Sequence, residues 1–234
     1  MIAIIAAMDK EIKHLLSQVS IEEIETIADK IFYKGKLGQK EVIIAKSGIG
    51  KVNAAMTASI LAVKYDVDFI INTGVAGGLF PINSGDVVLS EGVVYSDVDV
   101  RVVDSELPFG QMPGDPFIVH ADESLVNHAA KILEELKMPF RKGIIASGDQ
   151  FVTDSQNLKP LQSVIDQLYA VEMESMAVAI TAHKFNIPFV IIRGISDVID
   201  DTLQVQMYEN LVDEIADMTA EFVIHFVEDY QWIG

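Results

Sequence analysis

The chain has 234 residues, 50% hydrophobic and 22% charged, a composition that excludes a disordered polypeptide and supports one sizeable core. Its 17 Lys and Arg stand against 35 Asp and Glu, and the resulting charge of −18 repels phosphate backbones and anionic lipid, so nucleic acid and membrane are not expected partners. With no cysteine there is no disulfide, thiolate metal site or cysteine nucleophile, and no uncharged run approaches the ~20 residues that span a bilayer. The apolar start has no basic segment or cleavage site, so a cytoplasmic protein is expected.

Residues 2–7 are aliphatic and run straight into Asp9, Lys10 and Glu11, as a strand buried on both faces does where it gives way to a helix, here predicted over 10–17. A strand over 41–46 leads to Ser47-Gly48-Ile49-Gly50-Lys51. Ala45 and Val52 stand where a phosphate loop needs glycine and a hydroxyl, so this segment reads as a tight turn with positive φ at one or both glycines. The following helix, 52–63, carries Val52, Ala55, Met56, Ser59, Ile60 and Val63 on one stripe, expected to face the sheet. After a strand over 69–73, Thr73-Gly74-Val75-Ala76-Gly77-Gly78 fails the dinucleotide-binding spacing and leaves backbone that a flat ligand could approach closely.

A strand over 87–89 precedes the longest irregular stretch, 96–116, of a length that usually serves a function or an interaction. Helices are then predicted over 123–137, 158–167, 174–185 and along Leu211, Ile215, Met218, Phe222 and Phe226, with strands over 143–147, 168–171 and 189–193. The alternation is that of one α/β domain over residues 1–234.

The histidines show no metal-ligand spacing and no Gly-x-Ser-x-Gly elbow is present, so neither a metal nor a serine nucleophile is expected. The carboxylates are less ordinary. Glu172 and Glu174 interrupt an apolar stretch between a strand and a helix, where unpaired charge is costly. A helix N-cap explains one of them, not both. Asp197 follows the buried run 189–193 and is open to either an N-cap or a site role, and Glu11 follows the first strand. Strand ends thus carry Glu11, Glu172, Glu174, Arg193 and Asp197 toward one crevice, as open α/β sheets do.

With these residues in place, the chain resembles the 5′-methylthioadenosine/S-adenosylhomocysteine nucleosidases of the purine nucleoside phosphorylase superfamily. The likeness runs through Ala6-Ala7-Met8 with Glu11, Lys46-Ser47-Gly48-Ile49-Gly50-Lys51-Val52, Ile71-Asn72-Thr73-Gly74, Ala76-Gly77-Gly78, Gly85-Asp86, Gly110-Gln111 and Pro113-Gly114. It continues through Ser147-Gly148-Asp149, Phe151, Val171-Glu172-Met173-Glu174 and Ile195-Ser196-Asp197-Val198. The resemblance implies a three-layer α/β/α fold with a mixed, partly barrel-like twisted sheet, and hydrolysis of the bond between adenine N9 and ribose C1′ without a cofactor. It also implies a homodimer whose partner loop completes the site.

By the same resemblance, Glu11 is the base that activates water, Asp197 the acid at adenine N7, and Arg193 lies near the water and sugar. Glu174 and the Met173 backbone hold the ribose hydroxyls, with Glu172, Ala76 and Gly77 also at the substrate. Phe151 stacks on the purine, the Val152 backbone reads its edge, and Ser196 supports that loop. Met8, Ile49 and Met207 line the 5′-alkylthio pocket, to which a partner contributes Val100 and Phe109. For the chemistry to run, Asp197 must be desolvated while Glu11 stays ionised in a more polar setting. The chain departs from the family pattern at Val75, where serine is frequent, at Ser96, where histidine is common, and in a loop over 99–110 about two residues longer than in relatives. The rival readings are a phosphorylase, which needs several arginines around a phosphate, and a nucleoside-binding module without turnover.

Overall fold

The computed structural model describes residues 1–231. The strands are β1 (Ile2–Ala6), β2 (Ser20–Ile27), β3 (Lys30–Leu37), β4 (Lys40–Lys46), β5 (Phe69–Gly78), β6 (Val87–Tyr95), β7 (Val119–His120), β8 (Phe140–Ser147), β9 (Leu168–Glu172) and β10 (Phe189–Val198). The helices are α1 (Asp9–Gln18), α2 (Lys51–Lys64), α3 (Glu123–Glu135), α4 (Lys159–Gln162), α5 (Ser175–Phe185) and α6 (Gln204–Asp229).

The strands form one mixed sheet in the order β10-β6-β8-β9-β5-β1-β4-β3-β2, with the short β7 paired to β6, and a further pairing of β10 with β5 closes β5, β9, β8, β6 and β10 into a barrel. From β5 the remaining strands extend as an open wing. Strands β4, β1, β5 and β10 run parallel, so their carboxyl ends emerge on one side. Burial on both faces follows the period of two: Ile2, Ile4 and Ala6 meet the layer of α1, α3 and α6, while Ala3 and Ile5 meet that of α2 and α5. The three-layer expectation is met, with the closed barrel at its centre.

Several elements differ from the reading of the sequence. The hairpin of β2 and β3 was not expected; Ser20–Ile27 is mostly exposed and rich in glutamate, so it lacks the apolar run of a buried strand. Strands β5 and β10 continue past Thr73 and Arg193 to Gly78 and Val198, because barrel closure pairs these polar and glycine-rich segments with each other. The helix expected over 158–167 shrinks to a 3₁₀ turn, Ser155–Leu158, and the single turn of α4.

Helix α2 is turned from the expected orientation. It buries Ala54, Thr57, Ala58 and Leu61, leaving Val52 79% and Val63 74% exposed. Small residues permit close approach to α5, which the bulkier stripe would prevent. No helix among the described residues is long and apolar enough to cross a membrane.

Candidate active site

Beyond β1, Ala7 and Met8 turn the chain into α1, and Glu11 lies in the first turn with its carboxylate pointing back. Its Oε2 accepts the N–H groups of Ala7 and Met8 at 2.8 and 2.9 Å, and Oε1 accepts that of Val75 at 3.0 Å. Gly74 permits this meeting. A Cβ there would stand 2.5 Å from Glu11 Oε1 and collide with Arg193 Nη1. Glu11 is 2% exposed, and burial raises its pKa against the opposing pull of Arg193 and the three N–H donors. The polar surroundings of this acid are main-chain dipoles and a cation, not solvent.

Arg193, on β10, is fully buried behind the crevice. Its Nη2 lies 2.6 Å from Glu172 Oε2 and 3.9 Å from Glu174 Oε2, and donates to Asn72 Oδ1 at 2.7 Å and Ser175 Oγ at 3.0 Å. The two glutamates divide their duties. Glu172 accepts the N–H groups of Glu174 and Ser175 and so caps the start of α5. Glu174 instead accepts the N–H of Gly50 at 2.8 Å and lines the cavity. Its pKa rises to about 8, chiefly through burial and then through the neighbouring charge of Glu172. Gly48 and Gly50, at φ of 83° and 95°, supply the predicted turn that aims the Gly50 N–H at Glu174.

Asp197 is not an N-cap; it lies within β10, and α6 begins at Gln204. Ser196 Oγ donates to its Oδ1 at 2.6 Å, and Gln204 Nε2 donates to its Oδ2 at 2.8 Å and to the Val152 carbonyl at 2.9 Å. Burial raises its pKa, and these two hydrogen bonds only partly oppose the shift. Gly77 lies beside it, with a Cβ position 3.1 Å from Oδ2. Glu11 touches β5 at Gly74 and Asp197 touches it at Gly77, so about 10 Å of strand separates the contacts, at ~3.3 Å per residue.

The enclosing cavity is lined by Ala7, Met8, Glu11, Ile49, Val75, Ala76, Gln150, Phe151, Val152, Val171, Glu172, Met173, Glu174, Ile199 and Tyr208. Asp197 is not itself among these lining residues; Gln204 joins it to the carbonyl of the lining residue Val152, and at Gly77 it neighbours the lining residue Ile199. Among the described residues no group of histidines or acids could hold a metal ion.

The model of the phosphorylase superfamily matches residues 1–228. A 5′-methylthioadenosine/S-adenosylhomocysteine nucleosidase of Bacillus thuringiensis subsp. konkukian is 42% identical, over 97% of this chain and 98% of its own. The chain belongs to this nucleosidase family. Among solved structures, the nucleosidase of Neisseria meningitidis in complex with methylthio-immucillin-A superposes with a TM-score of 0.92 at 32% identity, covering 98% of this chain and 99% of that one. The Streptococcus pneumoniae enzyme in complex with 8-aminoadenine gives 0.89 at 32% identity, with the same coverage.

Within this nucleosidase framework, Met8, Glu11, Ile49, Ala76, Phe151, Val152, Glu172, Met173 and Glu174 all lie on the cavity wall. Met207 does not; Tyr208 takes its place, since one residue along a helix turns the side chain by about 100°. Its ring meets Phe151 edge-on at 5.5 Å. Val100 and Phe109 lie outside the cavity of their own chain. Phe109 packs against the cluster of Val94, Leu158 and Leu161 and lies under the Arg101 guanidinium, while Val102 and Val103, 99% and 82% exposed, form the loop's apolar tip.

Residues not singled out as ligands from the sequence include Gln204, Tyr208, Asn72 and Ser175. Asn72, a polar residue inside the aliphatic strand β5, carried a legible signal; Gln204 and Tyr208, on an ordinary helix start, carried none.

Proposed function

We propose that the chain hydrolyses the N-glycosidic bond of 5′-methylthioadenosine, S-adenosylhomocysteine and 5′-deoxyadenosine to adenine and the corresponding 5-substituted ribose, serving methionine salvage and removal of methyl-transfer by-products. One observation carries the reading: of two buried carboxyls of unlike support, Glu11 lines the cavity among three N–H donors and beside Arg193, and Asp197, among neutral side chains, is joined through Gln204 to the wall at Val152.

N-glycosidic cleavage passes through a sugar of oxocarbenium character, which needs a departing base that takes a proton and a weak nucleophile aimed at C1′. Glu11 orients and deprotonates the water, with Arg193 close by at Gly74. Val75 offers no hydroxyl there, so these two side chains hold the water without help from that position. Glu174 and the Met173 backbone bind the ribose hydroxyls. Phe151 stacks on the purine, the Val152 backbone reads its edge, and Asp197, whose hold on a proton is strengthened by burial, donates to N7 in its protonated form.

A phosphorylase would need cations where this site has acids. Arg193 is engaged by Glu172, and Arg101 pairs with Asp99 at the surface. Incubation of methylthioadenosine with and without phosphate tests the choice: adenine and free reducing sugar in both are expected, whereas a phosphate-dependent pentose 1-phosphate would overturn it. Cytoplasmic action remains part of the proposal.

So does a homodimer. The stripe of Val52 and Val63 on α2 and the tip of Val102 and Val103 leave apolar surface that a second copy would cover. In the single chain Phe109 is turned inward, so Val100 and the tip are the better candidates to reach a partner's cavity. Sedimentation at micromolar concentration should give twice the chain mass, and a monomer would dismiss this element.

A further inference from the structure

We infer that the side-chain amide of Gln204 occupies, in the unliganded protein, the subsite of the purine's exocyclic amino group, and that adenine must displace it. The inference rests on the nucleosidase reading and concerns how that site distinguishes an amino-purine.

Gln204 is the first residue of α6 and is 3% exposed. One nitrogen, Nε2, reaches both the Val152 carbonyl and Asp197 Oδ2, at 2.9 and 2.8 Å. Both partners accept hydrogen bonds, so the amide has one tenable orientation: turned over, its oxygen would face two oxygens. Its Oε1 has no hydrogen-bond partner although it is buried. The protein thus holds the amide by its donor side alone, through two acceptors that a competing donor can also engage.

A planar NH₂ between a main-chain carbonyl and a carboxyl is also what adenine presents. Its N6 carries two N–H bonds and its N7 lies alongside, so N6 can take the Val152 carbonyl while N7 meets the proton of Asp197. Gln204 and the purine therefore compete for the same two groups. The cavity, about 90 Å³, is also smaller than the roughly 300 Å³ at which ligand pockets begin. Residues 200–203, joining β10 to α6, are exposed, so Gln204 can swing away without opening the core. A 6-oxopurine would displace the amide and return no donor to Val152, so the subsite selects against it.

Calorimetry with adenine and hypoxanthine on the wild-type protein and on Gln204→Met, which keeps the length and removes the donor, tests this. The variant should bind adenine about tenfold more tightly, hypoxanthine should remain the weaker ligand of both proteins, and equal or weaker adenine binding by the variant would overturn the inference. In the pH profile of kcat/KM, the limb on which Asp197 loses its proton should move to higher pH, because an amide no longer supports the ionised form in free enzyme. An unmoved limb counts against it.

Should the variant not fold, a crystal structure of the wild-type protein with adenine decides: the amide turned away supports the inference, and the amide still on both acceptors refutes it. Failure of the nucleosidase reading is separately visible. Wild-type protein that releases no adenine from methylthioadenosine defeats that reading, whereas turnover with unaltered binding by Gln204→Met defeats only the role of Gln204.

Discussion

The two acids differ in what surrounds them more than in how deeply they lie. Glu11 is met by three main-chain N–H groups and lies near Arg193, while Asp197 is met by a hydroxyl and an amide belonging to side chains. Burial raises the pKa of both. Main-chain donors cannot turn away, so Glu11 is held in one orientation suited to its charged form. The partners of Asp197 can rotate or leave, as the proposed role of taking up and releasing a proton requires. Depth alone would make the two carboxyls equivalent; in the proposed mechanism it is the kind of donor that separates base from acid.

The sharpest way to break that contrast is to neutralise each acid in turn. Asp197→Asn should lower kcat by roughly 10²–10⁴ while leaving adenine binding largely intact, as general acid catalysis is typically worth that much. Glu11→Gln should lose a similar factor, and steady-state kinetics showing full turnover for either variant would remove that residue from its role. Arg193→Met should follow in size. It leaves Glu172 buried without its cation, so thermal or urea unfolding should show a loss of roughly 3–5 kcal/mol.

Glu174 gives the next effect and its sign can be worked out. Its folded pKa, about 8, lies above the ordinary 4.5, so the folded state takes up a proton more readily than the unfolded one. The stability contributed is complete at low pH and is lost as pH rises through about 8. The melting temperature of the unliganded protein should therefore fall over that interval, and Glu174→Gln should flatten the decline without abolishing it, because Glu11 and Asp197 are shifted in the same direction. An unchanged slope would place the shift elsewhere. Smallest is Val75→Ser, which restores a hydroxyl beside Glu11; kcat is expected to change by less than tenfold, and a larger gain would mean that the present water site is poorly held.

Much of the site was legible because its acids interrupt apolar runs. A carboxylate such as Glu172 at the end of a buried strand demands a partner, and Arg193 was the one arginine placed to supply it. The division of labour between Glu172 and Glu174 was not legible, because both precede the same helix and only the path of the Gly48–Gly50 turn decides which one receives the Gly50 N–H. The face of α2 was misread for a related reason. Hydrophobicity favoured Val52 and Val63, whereas close helix packing favoured Ala54 and Ala58, and a pattern of apolar residues does not say which surface is pressed against its own chain.

The sequence by itself determined the alternation of elements, the single α/β domain, the family and the acids at strand ends, since periodicity and the cost of burying charge are local properties of the chain. Tertiary structure alone decided that β10 returns to β5 to close the barrel, that Tyr208 rather than Met207 faces the cavity, and that Gln204 lies across Asp197 and Val152. Those outcomes depend on segments far apart in the chain meeting at distances near 3 Å, and no local pattern encodes such a distance.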